Sequence, residues 1–272
     1  MLVTAQVCNL LLTVKTLILG FCLMSIELSI VLPAFDEEER LGGTITKILG
    51  YLDANSINAE LIIVDDGSGD RTADVARETA AAFPQIETNV IRYDENRGKG
   101  FAVKTGLLAA RSDLALFSDA DLSTPIEEMD KLLDPIRRGE YDVTFGSRAI
   151  DRSLIGTHQP WRREQGGKVM NLIIRTMSGL PFADTQCGFK AFNLAKFRPL
   201  LDVMQIDRFG FDVEFLFVAK YHGLRLAEIP VRWDDVAGSK VDVLRDTRRM
   251  FTELSQIRRN KRQGVYDRIQ TG

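Results

Sequence analysis

Apolar and polar positions fall into blocks along this chain, and the blocks have two characters. Leu28–Leu32 is a short apolar run stopped by Pro33, and Leu61–Val64 is apolar throughout. Both read as strands, as do 86–92 and 114–118. Between them apolar positions recur at helical spacing, through Leu41, Ile45, Ile48, Leu49 and Leu52 within 37–55, with further helices over 71–83 and 100–110. Strands that are apolar along their whole length must be covered on both faces. The pattern therefore predicts an α/β fold with a mainly parallel sheet flanked by helices on both sides. No tandem repeat or low-complexity linker divides it.

One block carries chemistry at its end. The apolar run 114–118 gives way to two carboxylates one residue apart, Asp119 and Asp121, after which Ser123, Thr124 and Pro125 supply helix start signals. Ligands of open α/β sheets collect beyond the carboxyl ends of strands. Hard carboxylate oxygens at this spacing can hold a divalent ion and leave positions for a diphosphate. Asp36/Glu38 and Asp212/Glu214 share the spacing without the strand end. The other strand ends carry polar loops: Pro33-Ala34-Phe35-Asp36-Glu37, then Asp65 to Asp70, then Asp94 to Gly100. Asp65 or Asp66 can accept hydrogen bonds from a base or ribose, and Arg97 and Lys99 can reach phosphates beside a helix N-terminus. Three such loops ahead of one acidic pair read as a nucleotide site. Gly-x-Gly-x-x-Gly after the first strand and Gly-x-x-x-x-Gly-Lys-Ser/Thr are both missing, which excludes the dinucleotide oxidoreductase and P-loop readings.

Composition narrows the class. At 272 residues, 45% hydrophobic and 27% charged, the chain suits one large α/β domain with an extension. Cys8, Cys22 and Cys187 form no Cys-x-x-Cys pair, so neither a disulfide framework nor a zinc site is indicated, and a reducing compartment fits. A net charge of −3 speaks against general nucleic-acid binding. The basic residues are nevertheless concentrated. From Arg245 to Arg268 there are eight, against three acidic ones, interleaved with Met250, Phe251, Leu254 and Ile257. That is a basic amphipathic helix, expected to lie on an anionic bilayer or else to dock on the domain through its apolar side. At the other end Leu2–Met24 is nearly long enough to span a membrane but contains Lys15, and reads as a membrane-associated helix, a leader or a buried helix. The expected division is an apolar segment 1–26, a domain 27–240, and a basic helix and tail 241–272.

The order of these features resembles the family-2 inverting glycosyltransferases, whose GT-A fold is Rossmann-like. Later motifs are similar to the polyprenyl-phosphate (dolichyl-phosphate) glycosyltransferases, the glucosyl branch in particular: Gly146-Ser-Arg148, Asp184-Thr-Gln-Cys-Gly-Phe-Lys190, Phe211-Asp-Val-Glu214, and Glu228-Ile-Pro-Val-Arg-Trp233 running on to Gly238-Ser-Lys240. The resemblance implies a first nucleotide loop of Pro33, Ala34, Phe35 and Glu37, with Asp65 on the base. It implies a metal and diphosphate site at Asp119, Ala120 and Asp121, served by Mg2+ or Mn2+. Asp184 stands where relatives have a residue near the reacting carbon. Arg148, Arg162, Arg163 and Lys168 would face phosphate of the donor or of the lipid acceptor, on the acceptor-side extension, with Lys190, Asp212 and Glu214 in support. The implied activity is metal-dependent, inverting transfer of glucose from UDP-glucose to a polyprenyl phosphate at the cytoplasmic face of a membrane. A phosphate acceptor is largely ionised at neutral pH, its second pKa lying near ~6, so Asp184 is expected to orient groups rather than to remove a proton.

Other readings fit less of the chain. GDP-mannose-dependent transfer to the same lipid is the nearest. Polymer synthases carry Gln-x-x-Arg-Trp, and Gln205-Ile-Asp-Arg208-Phe209 has Phe in place of the Trp. A nucleotidyltransferase wants a Gly-rich basic loop where Pro33–Glu37 stands, and a non-catalytic nucleotide-binding protein would give no transfer.

Overall fold

A computed structural model describes residues 26–157, 161–236 and 243–269, without the side chains of 161–164, 168 and 243–247. The apolar segment expected over 1–26 lies outside the described residues except for Ile26, and Gly238-Ser-Lys240 lies outside them altogether.

Seven strands form one sheet: β1 (Leu28–Ala34), β2 (Ala59–Asp65), β3 (Glu87–Arg92), β4 (Leu114–Ser118), β5 (Val143–Ser147), β6 (Phe189–Asn193) and β7 (Leu226–Pro230). Their spatial order is β3-β2-β1-β4-β6-β5-β7. Every pairing is parallel except those of β6, which runs antiparallel to both β4 and β5. The expected mainly parallel, doubly covered sheet is what forms.

Alternation along the strands assigns the two faces. In β1, Leu28, Ile30, Leu32 and Ala34 join one apolar cluster while Val31 joins the other; in β2, Leu61 and Ile63 part from Ile62 and Val64 in the same way. Helix α1 (Leu41–Ala54) covers the first face with Leu41, Ile45, Ile48, Leu49 and Leu52, all fully buried. Helix α2 (Thr72–Ala80) packs beside it. Helix α3 (Lys99–Ala109) covers the second face with Ala102, Val103 and Leu107. The predicted elements from α1 to β4 are thus present with small shifts at their ends. Pro33 does not stop β1, however. It pairs in register with Val64, and β1's ladder with β4 ends at Val31↔Phe117, so the missing N–H falls where one side has no ladder partner. At the sheet edge β3 is charged and half-exposed, as edges that must not pair further tend to be.

The strand order fixes where a ligand can sit. The chain moves from β1 outward to β2 and β3, then returns to lay β4 on the opposite side of β1. A crevice opens between the carboxyl ends of β1 and β4 at this reversal.

Beyond β4 come α4 (Met129–Arg137), α5 (Trp161–Ser178), α6 (Leu194–Leu201), α7 (Phe211–Tyr221) and α8 (Val243–Arg262). The basic amphipathic helix is α8, and most of its described apolar side is not free for a bilayer, Phe251 staying 40% exposed. Met250, Leu254 and Ile257 are at most 4% exposed and belong to the core cluster, together with the fully buried Tyr266. Burying three such side chains is worth about 1.5–3 kcal/mol each, so docking against the domain wins. Arg248, Arg258, Arg259, Lys261 and Arg262 stay exposed. Among the described residues no helix is long and apolar enough to cross a membrane.

Candidate active site

A cavity of about 310 Å³ occupies the crevice, and its lining includes Pro33, Ala34, Phe35, Glu37, Lys99, Asp119, Ala120 and Asp121. The structure therefore gathers most of the predicted donor-site residues from three strand ends. The loop after β1 is laced to the loop after β2: Asp36 N donates to Ser68 Oγ at 2.9 Å, Glu37 N to Thr72 Oγ1 at 2.8 Å, and Gly69 N to Asp36 Oδ1 at 2.9 Å. Short hydroxyl and carboxylate side chains thus replace regular pairing where the sheet ends.

Asp65 is placed differently from expectation. It is fully buried, takes the N–H of Ser68 and the Ser68 hydroxyl on Oδ1, and lies 3.5 Å from Arg92 on Oδ2. It builds the turn and does not line the cavity. Its neighbour Asp66 does, while receiving Arg97 N and Gly98 N at 2.8 Å each. Burial raises the Asp66 carboxyl above its usual range against those two N–H groups. Gly98, at φ +113, has no room for a Cβ beneath Asp207 O and begins α3 here, presenting Lys99 to the cavity. Arg97 points elsewhere, its guanidinium 3.4 Å above the Phe101 ring.

The acidic pair sits at the tip of β4. Asp119 N donates to Gly188 O at 3.0 Å, and a Cβ on Gly188 would overlap the Asp119 carboxylate. This close approach explains the glycine inside Asp184-Thr-Gln-Cys-Gly-Phe-Lys190. Thr44 Oγ1 donates to Ala120 O at 2.6 Å, and Asp121 Oδ1 accepts Ser123 N at 2.9 Å around Leu122, which is held at φ +48. Lys99 Nζ lies 2.6 Å from Asp119 Oδ1. Burial raises the Asp119 carboxyl, Lys99 opposes this, and Asp121 and Asp212 add to it. Burial alone would weaken the Lys99 ammonium, but Asp119, Asp212 and Asp121 outweigh it and hold the proton more firmly than usual. Asp119 and Asp121 thus share the influence of one ammonium, Asp212 being matched by Lys190, and a further cation would relieve the negative charge left over.

Arg148 and Asp184 meet each other and do not line the cavity. Arg148 Nε donates to Asp184 Oδ2 at 2.6 Å and its Nη2 to Oδ1 at 2.8 Å, with Asp184 only 1% exposed. Glu228 from β7 fixes Asp184 from behind, accepting its backbone N at 2.7 Å. Burial opposes ionisation of Asp184, yet the charge and hydrogen bonds of Arg148 outweigh it and hold the carboxyl below the usual range. A weaker base results. Lys190, fully buried, pairs with Asp212 at 2.6 Å, and Glu214 accepts the N–H groups of Gln205 and Ile206 and the Tyr266 hydroxyl. These are the supporting ion pairs and bonds of the interior. Arg162, Arg163 and Lys168 belong to α5, but their side chains lie outside the described residues.

Sequence reasoning left Asp65 and Asp66 as alternatives, with the resemblance favouring Asp65, and did not assign to the site Arg40, Asn96, Gly98, Ala102, Arg208, Phe209 and Arg249, which also line the cavity. Arg208 and Phe209 stand in the near-match to Gln-x-x-Arg-Trp, so a signal existed for them. Arg249 was hidden in the basic run of α8, where spacing does not separate a residue facing a cavity from its solvated neighbours.

Comparison with known proteins agrees with this geometry. Residues 29–200 match the model of Glycosyl transferase family 2. The chain is similar to the dolichyl-phosphate beta-glucosyltransferase of Drosophila melanogaster, 35% identical over 80% of this chain and 70% of that protein. That of Dictyostelium discoideum is 30% identical over 86% of this chain and 74% of its own length. In fold it is similar to glucosyl-3-phosphoglycerate synthase from Mycobacterium tuberculosis, solved in complex with Mn2+, uridine-diphosphate-glucose and phosphoglyceric acid, at a TM-score of 0.62 and 18% identity over 85% of this chain and 79% of that one. With a matched segment that runs from β1 into α6 and so includes the two strand ends between which the crevice opens, the chain belongs to glycosyltransferase family 2.

Proposed function

We propose that this protein transfers glucose from UDP-glucose, with inversion, to a polyprenyl phosphate at a membrane surface, with a divalent ion held at Asp119 and Asp121. The observation that carries the reading is the cavity itself, where the loop after β1, the start of α3 and the acidic tip of β4 meet. The kinship with dolichyl-phosphate beta-glucosyltransferases supports the sugar and the acceptor class.

The acidic tip fits a divalent ion in its donor set. Two carboxylates supply hard oxygens, the local charge is in excess, and Mg2+ or Mn2+ ordinarily fills its remaining positions with substrate oxygens and water. When bound, such an ion neutralises charge on a departing diphosphate. The chain's own residues do the rest. The laced loops after β1 and β2 orient the nucleotide, Asp66 offers an acceptor to it, and Lys99 brings a fixed ammonium to the phosphate side. Asp184 works through Arg148, holding its guanidinium in one orientation. With an acceptor that is already ionised, no strong base is called for, in keeping with a carboxyl held below its usual range. The exposed basic face of α8 suits an anionic membrane surface, and its buried apolar face does not enter into this.

Calorimetric titration with a divalent ion present tests the donor assignment. UDP-glucose is expected to bind more tightly than GDP-mannose, and Asp119→Ala and Asp121→Ala to weaken UDP-glucose at least tenfold while thermal melting stays cooperative. Tighter binding of GDP-mannose would move the protein to the mannosyl reading.

A further inference from the structure

The motif Glu228-Ile-Pro-Val-Arg-Trp233 lines no part of the cavity, and no step of the transfer described so far uses it. It occupies the edge strand β7 and the residues just after it. Glu228 is half-buried, and its carboxylate has no ion pair among the described residues. Both oxygens are taken up by neutral donors instead. Oε1 accepts Asp184 N and the Ser147 hydroxyl, each at 2.7 Å, and Oε2 accepts Ala183 N at 2.8 Å. An acid on an edge strand is ordinarily solvated or paired with a cation. This one is spent on the backbone that carries Asp184 and on the residue before Arg148.

Strand β5 lies between β6 and β7; Arg148 directly follows the last residue of β5, and Asp184 stands in the segment leading into β6. The Glu228 carboxylate therefore reaches from β7 to the tip of β5 and to the segment before β6. Ser147 Oγ passes the tie on by accepting Ala149 N at 3.2 Å, so the residues on both sides of Arg148 are fixed to Glu228. Arg148 itself stays partly exposed where Asp184 is buried, and the charge of Asp119 bears on it, which sets the guanidinium on the open side of the pair towards the acidic tip. Trp233 supplies a wall, its ring 5.5 Å from the guanidinium carbon and its backbone bonded to Leu154 O at 3.2 Å and Gly156 N at 3.0 Å. A ring face attracts a cation without fixing how its N–H groups turn. That turn is set by the two-pronged contact with Asp184, whose geometry depends on the spacing of the two backbones.

We propose that Glu228 is a positioning residue of the transfer, acting through Asp184 and Arg148 by fixing the distance between the tip of β5 and the segment before β6. The inference rests on the reading above, in which Arg148 serves the transfer. A guanidinium meets phosphate through N–H donors in one plane, so a small rotation of Arg148 costs alignment in the transition state. Nucleotide affinity is spared, because Glu228 does not line the cavity. Glu228 thus governs turnover and not donor binding. A neutral side chain of the same shape does not replace it. The carboxylate receives donors on both oxygens, and the amide of Glu228→Gln would turn an NH2 group towards Ala183 N or towards Asp184 N, donor against donor.

The test compares Glu228→Gln with Asp142→Asn in steady-state transfer from UDP-glucose to a water-soluble polyprenyl phosphate, with Mg2+ present and thermal melting recorded. Asp142 is the matched control: it is buried just before β5, at the other end of the β5–β7 pairing, and takes Arg225 N at 2.9 Å and Lys196 Nζ at 2.7 Å. Both variants should melt earlier. Glu228→Gln is expected to lower kcat at least tenfold and to change the UDP-glucose KM less than twofold, whereas Asp142→Asn keeps both within twofold. Added to Asp184→Asn, Glu228→Gln should cost less than a further twofold, because it acts through that carboxylate. Ser147→Ala, which removes one of the three donors, is the milder variant should Glu228→Gln not fold, with kcat falling threefold or more. Proton NMR of the Arg148 Nε–H, assigned by its loss in Arg148→Lys, reads the geometry without substrate: the bonded resonance should move upfield in Glu228→Gln and stay in place in Asp142→Asn. Equal kcat losses in Glu228→Gln and Asp142→Asn, full additivity with Asp184→Asn, a loss confined to the UDP-glucose KM, or an unmoved Arg148 resonance overturns the proposal. If the parent transfers no glucose to this acceptor, the proposed function falls, and the Arg148 resonance alone decides the positioning.

Discussion

Asp184 shows how far a single side chain is determined by its partners. A carboxylate 1% exposed and free of cations would be driven towards its neutral form and would serve as a base near neutral pH. Here the two-pronged contact with Arg148 prevails over burial and keeps the group ionised below the ordinary carboxylate range. Its contribution to stability is accordingly complete above about pH 4 and is lost only as pH falls through the lower native value. Between pH 5.5 and 8 the transfer rate should show no limb belonging to Asp184. Asp184→Asn should lower the rate by releasing Arg148 and leave the shape of the pH–rate profile as it was. A limb present in the parent and missing in that variant would restore Asp184 as the base. At this scale the sequence was informative about types and poor about neighbours. Asp119 and Asp121 were readable because a strand visibly ends there, whereas the choice between Asp65 and Asp66 depends on which carboxylate the turn uses up, a matter of hydrogen bonds that spacing does not encode.

Elements were legible wherever one face or both had to be buried. The strands β1, β2 and β4 and the helices between them follow from apolar runs and helical spacing, and Pro33 misled only because its place beyond the β4 ladder is a property of the sheet. The reversal of β6 between two strands was not readable, since antiparallel direction is set by the route of the preceding chain. Helix α8 was recognised as basic and amphipathic, but one helix does not say what covers its apolar stripe. The core does: Leu254 and Ile257 are each 1% exposed. Leu254→Ala should therefore reduce the unfolding free energy by about 2–5 kcal/mol, as buried leucine truncations do, measured by urea denaturation at constant slope. A change within ~0.5 kcal/mol would mean that α8 is not part of the folded core. Salt-sensitive binding to anionic vesicles should survive the same substitution, because the exposed arginines and lysine supply it.

At the scale of the whole molecule, the reversal of strand order between β1 and β4 creates the crevice, and the later half of the chain closes it. The first half supplies the nucleotide loops, Lys99 and the acidic tip. The second half supplies Gly188, which makes room for Asp119, and the Arg208 and Arg249 wall. The site is a product of both halves, so donor binding and the docking of α8 belong to one folded unit. The most direct measurement is transfer itself: labelled UDP-glucose, a polyprenyl phosphate and Mg2+ or Mn2+, with the organic phase analysed for label and anomeric configuration. The account predicts a β-linked glucosyl phospholipid, formed by the parent protein and reduced at least a hundredfold in Asp119→Ala. Label that stays in the aqueous phase while GDP-mannose gives a lipid product, or a product of retained configuration, would contradict it.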